Sequence, residues 1–383
     1  MGVLSSLRLG KPESALGTYN RLVPNGADDH APLLRQIALG FITSRVRDSA
    51  EYLRVTAYRA LGEVADATTR PVLEDGLLDP SIMVRARAVE AIGRAGLHGM
   101  SSALKRALRD QAPAVRIAAI NALGKADARE VRVQLVRIAR SGEGAEHIFA
   151  LAALARLGNR AALQDIKSAA TLPDPDLRMA AIGVLGRLQC RSCLAVLTQS
   201  VYDPVPPVRA FAVGALGEFG DPEGAASLIH ALSDESPQVR SVAAASLGRL
   251  GVKQARALLW PLTRDPAPLV RAGAVEGLLL LGDQEALLLA TDLAKHPQPV
   301  VRSATAHALR ASRSEHALPL LESLLRDRAP QPRLSAARAL GHIPGVAVIP
   351  ILKKTLQDSE PAVRIVAAGS LLLRLSEHRE NRG

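Results

Sequence analysis

At 383 residues the chain is too long for one ordinary core, yet only 2% of it is aromatic and it holds a single tryptophan, Trp260. Its apolar content comes mainly from Ala, Leu and Val, which suits many small, closely packed helices and argues against a few large cores. Two cysteines exclude a disulfide framework, and a net charge of +11 points toward acidic partners.

The N-terminus lacks a charged-then-apolar leader pattern, and the longest apolar stretch, around Leu278–Leu281, ends at Gly282-Asp283. A soluble cytoplasmic protein without a membrane span is expected. In chain order, residues 1–47 read as an N-terminal cap or partial repeat. Within them, 31–47 resemble an orphan second helix carrying Leu33, Leu34, Ile37, Phe41 and Ile42. Residues 48–375 form a repeat array, and 376–383 a charged tail expected to fray.

The array has a 31-residue period repeated eleven times. Arginine recurs as Arg54, Arg85, Arg116, Arg178, Arg209, Arg240, Arg271, Arg302, Arg333 and Arg364, with His147 in the remaining unit. Seven residues after each comes an aliphatic, such as Leu216, Leu247 or Leu278. Three before it comes Pro in eight units, and six before it comes Asp in eight units, including Asp48, Asp79, Asp110 and Asp358.

Each unit reads as two helices. Ser236 is suited to an N-cap and Pro237 to the first helical position, where no donor is lost. Gly251 suits a left-handed stop, and Asp221-Pro222 marks a second start. Gly217 and Gly248 sit inside first helices, where glycine costs about 1 kcal/mol of propensity, so a close helix contact should require them. The last unit holds only a first helix, 358–375, whose Leu371-Leu372-Leu373 is poorly matched to a polar cap.

The string Asp203…Pro207-Val208-Arg209…Ala212…Leu216-Gly217 resembles the HEAT repeat family, in the short form also seen in phycobilisome-lyase-like repeats. The resemblance covers roughly 48–375. It implies an all-α fold: a right-handed α-solenoid (superhelix) of about eleven helix-turn-helix HEAT-like repeats, with second helices lining the concave surface. It also implies that Asp and Arg form a ladder between repeats. The recurring arginines are therefore read first as structural.

Some similar proteins are enzymes. Deoxyhypusine hydroxylases resemble this array, and they hold di-iron through repeated His-Glu pairs. None of the nine histidines here is followed by Glu. That disfavours an enzyme of this kind, and no residue singles out a bilin site, so no cofactor and no catalytic residue are expected. Cys190-x-x-Cys193 is a weak metal or redox candidate. The equivalents of Cys193 are Gly224, Ala255, Ala286 and Ala317, so a small buried residue is the simpler reading. The unit around His147 also lacks the Asp and the Pro, which breaks the ladder.

Charge is segregated. Residues 85–140 hold 12 Lys/Arg against 4 Asp/Glu, and 301–383 hold 13 against 7. On the second helix of 110–140, Val131, Leu135 and Ile138 mark the core face. Arg129, Arg132, Arg137 and Arg140 lie opposite, with Val133 and Val136 among them. One repeat earlier, Lys105, Arg106 and Arg109 occupy matching positions. These nine residues are the candidate partner-binding strip. The leading expectation is a non-catalytic scaffold that binds an acidic protein partner on the face made by the second helices. The alternative is nucleic-acid or other polyanion binding through the two basic blocks; the scarcity of aromatics leaves that reading only phosphate contacts.

Overall fold

A computed structural model describes residues 2–23, 31–64, 66–96, 101–125, 131–141, 144–252 and 254–380. Three helices come first: α1 (Val3–Arg8), α2 (Pro12–Leu22) and α3 (Ala31–Thr43). Helix pairs follow. They are α4 (Glu51–Val64) with α5 (Arg70–Gly76), α6 (Ile82–Arg94) with α7 (Ser101–Ala107), and α8 (Pro113–Lys125) with α9 (Arg132–Ser141). Next are α10 (Gly144–Arg156) with α11 (Arg160–Ala169), α12 (Pro175–Leu188) with α13 (Leu194–Ser200), and α14 (Pro206–Phe219) with α15 (Ala225–Ala231). Then come α16 (Pro237–Leu250) with α17 (Ala255–Leu262), α18 (Pro268–Leu280) with α19 (Ala286–Leu293), and α20 (Pro299–Leu309) with α21 (Leu318–Leu324). The array closes with α22 (Pro330–Leu340), α23 (Val348–Thr355) and an unpaired first helix, α24 (Pro361–Glu380). This is an all-α repeat solenoid. No helix among the described residues is long and apolar enough to cross a membrane.

The chain divides into two compact units, 1–119 with 313–383 and 120–312. Within both, the same local chemistry builds the repeat. Each ladder arginine uses one edge of its guanidinium on its own chain: Arg240 Nη1 donates to the carbonyls of Asp234 and Glu235 at 2.8 and 3.1 Å. The other edge grips the next repeat, with Nε on Asp265 Oδ2 at 2.9 Å and Nη2 on Oδ1 at 3.1 Å. The same bidentate pair joins Arg54 to Asp79, Arg85 to Asp110, Arg178 to Asp203, Arg209 to Asp234 and Arg333 to Asp358. Arg116, Arg271 and Arg302 keep the carbonyl contacts of the first edge.

The aspartate also starts the helix. Asp234 Oδ1 accepts from the Ser236 backbone N–H at 2.8 Å, and the hydroxyl of Ser236 makes no capping bond. The expected serine cap is thus replaced by an Asx turn from the ladder residue itself. Gly251 ends α16 at φ +75°, as its position suggested. Gly217 and Gly248 do sit at close contacts. A Cβ on Gly217 would lie 2.5 Å from that of Ser246, and one on Gly248 would lie 2.3 Å from the Gly277 carbonyl oxygen.

In unit 1 the two chain ends complete one another. Helix α24 packs against α3 and α4 as well as against α22 and α23. The orphan second helix α3 thus packs on α24 as a second helix would. Arg35 Nη1 donates to Ser376 Oγ at 2.9 Å, and the Tyr52 hydroxyl donates to Glu360 at 3.4 Å. Arg364 Nη2 lies 3.8 Å from Glu13 of α2. Leu371 and Leu372, which looked like a mismatched cap, are fully buried. Of the tail 376–383, Ser376–Glu380 belong to α24 and 381–383 lie outside the described residues.

The ladder fails around His147 because no arginine stands there and Leu172 replaces the partner aspartate. Asp174 cannot substitute freely, since its carboxylate accepts from the Asp176 N–H at 2.8 Å to cap α12. Amide exchange is therefore expected to find the helix ends of 144–176 less protected than those of 203–295. The double variant His147→Arg/Leu172→Asp should slow exchange there. Equal protection in both stretches would refute a local weakness.

Candidate functional site

The basic strip expected on the second helices divides between the two units. In unit 1, Arg106 and Arg109 are exposed and Lys105 is half-buried, at the end of α7. In unit 2, α9 exposes Arg132, Arg137 and Arg140, while Val131 and Leu135 of the expected core face are buried and Ile138 is half-buried. Val133 is 73% exposed and Val136 half-buried. Arg129 lies outside the described residues.

Cys190 and Cys193 are bonded to each other. Cys193 is fully buried where α13 begins, at the position that Ala255, Ala286 and Ala317 also bury completely. Among the described residues no group of three or more His, Cys, Asp or Glu is placed to hold a metal ion.

Unit 2 carries a feature that reasoning about second helices missed. Helices α16, α18 and α20 present an open groove of about 710 Å³ on the first-helix face. Its walls include Val242, Ala245, Leu269, Ala272, Val300 and Ala304. Leu269 and Val300 are 42% and 58% exposed. The groove exists because α16 and α18 meet at backbone contact: a Cβ on Gly273 would lie 2.4 Å from the Ser241 carbonyl oxygen, and Ser241 Oγ donates to the Leu269 carbonyl at 2.8 Å. A charged network also lines it. Glu276, its side chain only 13% exposed, sits 3.6 Å from Arg249 and 3.9 Å from His307. A sequence signal existed, since Leu269, Val300 and Val242 are apolar outside the core stripe of their helices. Smaller clefts of about 520 and 540 Å³ open between second helices α21 and α23 and between α11 and α13.

The same first-helix face carries a column of charge at matching positions of successive repeats: Arg156, Arg187, Glu218 and Arg249. Arg156 Nη1 is buried and has no hydrogen-bond partner. Burial, reinforced by the Arg187 cation, holds the Arg156 guanidinium below its usual range. Burial lowers Arg187 as well, and Glu218 on the next first helix opposes that shift. Beside Arg187, Gly183 leaves room for the ring of Phe211, which is 45% exposed. A Cβ on Gly183 would lie 2.7 Å from that ring, and a Cβ on Gly124 would lie 3.4 Å from Arg156 Nη1.

Comparison with known proteins places the repeats in a family. The model for HEAT repeats matches residues 39–124, 76–147, 194–278, 255–341 and 318–378. Among curated proteins none matches. Solved structures with a similar fold include the CpcE–CpcF complex of phycocyanin lyase from Nostoc sp. PCC7120, at 22% identity and TM-score 0.42, covering 55% of this chain and 94% of that one. Human deoxyhypusine hydroxylase in complex with glycerol is 23% identical with TM-score 0.31, covering 67% and 99%. A mutant of Kap121p is 12% identical with TM-score 0.41, covering 96% of this chain and 49% of that one.

Proposed function

Since the chain belongs to the HEAT repeat family, we propose that it is a non-catalytic scaffold that holds a protein partner on its exposed repeat faces. The groove on α16, α18 and α20 carries this reading. It offers apolar walls together with a charged network, the combination that fixes an extended segment by burial and orients it by polar contact. A partner leucine or valine seated there would gain about 1.5–3 kcal/mol from burial. A photo-crosslinking residue placed at Leu269 in the full chain should capture a discrete partner from native lysate, while one at the 85%-exposed Leu78 should not. Equal labelling from both positions would count against the groove.

The part of the strip on α9 supports a second contact of the same kind. Val133 is apolar and highly exposed among three exposed arginines, and phosphate binding has no use for it. Replacing Arg106, Arg109, Arg137 and Arg140 together with Ser should leave the melting temperature within about 2 °C, because exposed charges contribute little. Retention of an acidic partner at physiological salt should fall at least tenfold. Undiminished retention at the same salt would leave these arginines as a solvated face.

A further inference from the structure

We infer that Arg156 and Arg187 form an anion site on the first-helix face of unit 2 that takes the carboxylates of an acidic peptide segment, whose apolar continuation runs toward the groove. The inference rests on the scaffold reading and names the chemistry of its partner.

Three observations carry it. First, Arg156 Nη1 is buried without a hydrogen-bond partner. An arginine that only held the fold together would have been given one, as the ladder arginines are, because an unsatisfied buried cation is destabilising. Second, the repeat register sets Arg156 and Arg187 at the same position of adjacent first helices, roughly 8–10 Å apart at their axes, and the Arg187 cation lowers the tolerance of Arg156 for charge. No ion pair satisfies either guanidinium among the described residues. Third, the surroundings select the anion. Glu218 follows Arg187 in the column, and Glu276 lies in the groove beyond it. A polyphosphate backbone crossing this face would meet both carboxylates. A peptide with a short acidic run and then apolar residues would meet cations first, then the exposed Phe211 ring, then the apolar walls. From α12 to α16 is two helix spacings, about 16–20 Å, or five to six residues of extended chain.

The test uses the full chain and a fluorescein-labelled twelve-residue peptide of three glutamates, a five-residue Gly/Ser spacer and an apolar tail of Leu and Val. Competitors are the same peptide with Gln for Glu and a twelve-residue oligothymidylate. The acidic peptide should bind, the Gln version should bind at least tenfold more weakly, and the oligonucleotide should not displace it. Arg156→Met should weaken binding at least tenfold while leaving the melting temperature unchanged or raised, since it removes an unpartnered buried charge. Unchanged peptide affinity in Arg156→Met, a lowered melting temperature in that variant, or displacement by oligothymidylate would each overturn the inference. A Leu269→Asp variant in the same assay reads the groove separately. Its loss of binding with Arg156→Met unaffected would leave the scaffold reading standing without the anion site.

Discussion

Leu371→Asp is expected to unfold unit 1, while Leu78→Asp in the same unit leaves it intact. Leu371 is fully buried, on a helix covered by α3 and α4 from the opposite end of the sequence. Truncating a buried leucine costs about 2–5 kcal/mol, and forcing a carboxylate into the same site adds its desolvation. That sum rivals the whole stability of an ordinary domain, about 5–15 kcal/mol. Leu78 is 85% exposed, so its replacement removes almost no contact. Deleting residues 1–47 should act like Leu371→Asp, because it strips α3 and α2 from α24 and exposes the same leucines. Circular dichroism and limited proteolysis read both results. A Leu371→Asp protein as protease-resistant as Leu78→Asp would show that the two ends do not pack together in solution.

That join was not legible in the sequence, and the reason is physical. The repeat announced itself because one interface recurs every 31 residues, so Arg, Asp, Ala and Leu recur with it. An orphan second helix at 31–43 and an orphan first helix at 361–380 were each readable by themselves, but their pairing happens once and leaves no period. The capping was half legible. Pro237 and Gly251 stand where turn chemistry requires them, whereas the cap came from Asp234 because its carboxylate reaches both the Ser236 N–H and Arg209. The groove escaped for a different reason. It depends on how closely Gly273 lets α18 approach α16, and a composition pattern does not report that distance. The repeat pattern does not single out Arg156, because an unpaired buried Nη1 leaves no mark on the sequence.

The ladder yields the second large effect. Arg240→Ala should lower stability by about 2–4 kcal/mol, against less than about 1 kcal/mol for Arg132→Ala. Arg240 holds Asp265 with two hydrogen bonds and its own chain with two more, and the truncation strands a carboxylate whose side chain is only 7% exposed. At roughly 2–4 °C per kcal/mol for a body of this size, melting should drop by about 5–15 °C. The same bonds set the acid limit. The Arg85 guanidinium holds Asp110 below the ordinary carboxylate range. Burial pushes Asp265 up, but the hydrogen bonds from Arg240 and the Ala267 N–H outweigh it, and its net shift is also down. A depressed folded-state value adds stability that is complete above the unfolded value, about 3.9, and is lost as pH falls below it toward the folded one. Wild-type protein should therefore hold its melting temperature down to about pH 4 and lose it below. In Arg240→Ala the burial of Asp265 is opposed only by the Ala267 N–H and the charge of Arg271, so that carboxyl should titrate at a higher pH than in the wild type and acid destabilisation should begin at a higher pH. Coincident acid-unfolding curves, together with equal melting temperatures for Arg240→Ala and Arg132→Ala, would show that the ladder does not hold the repeats together.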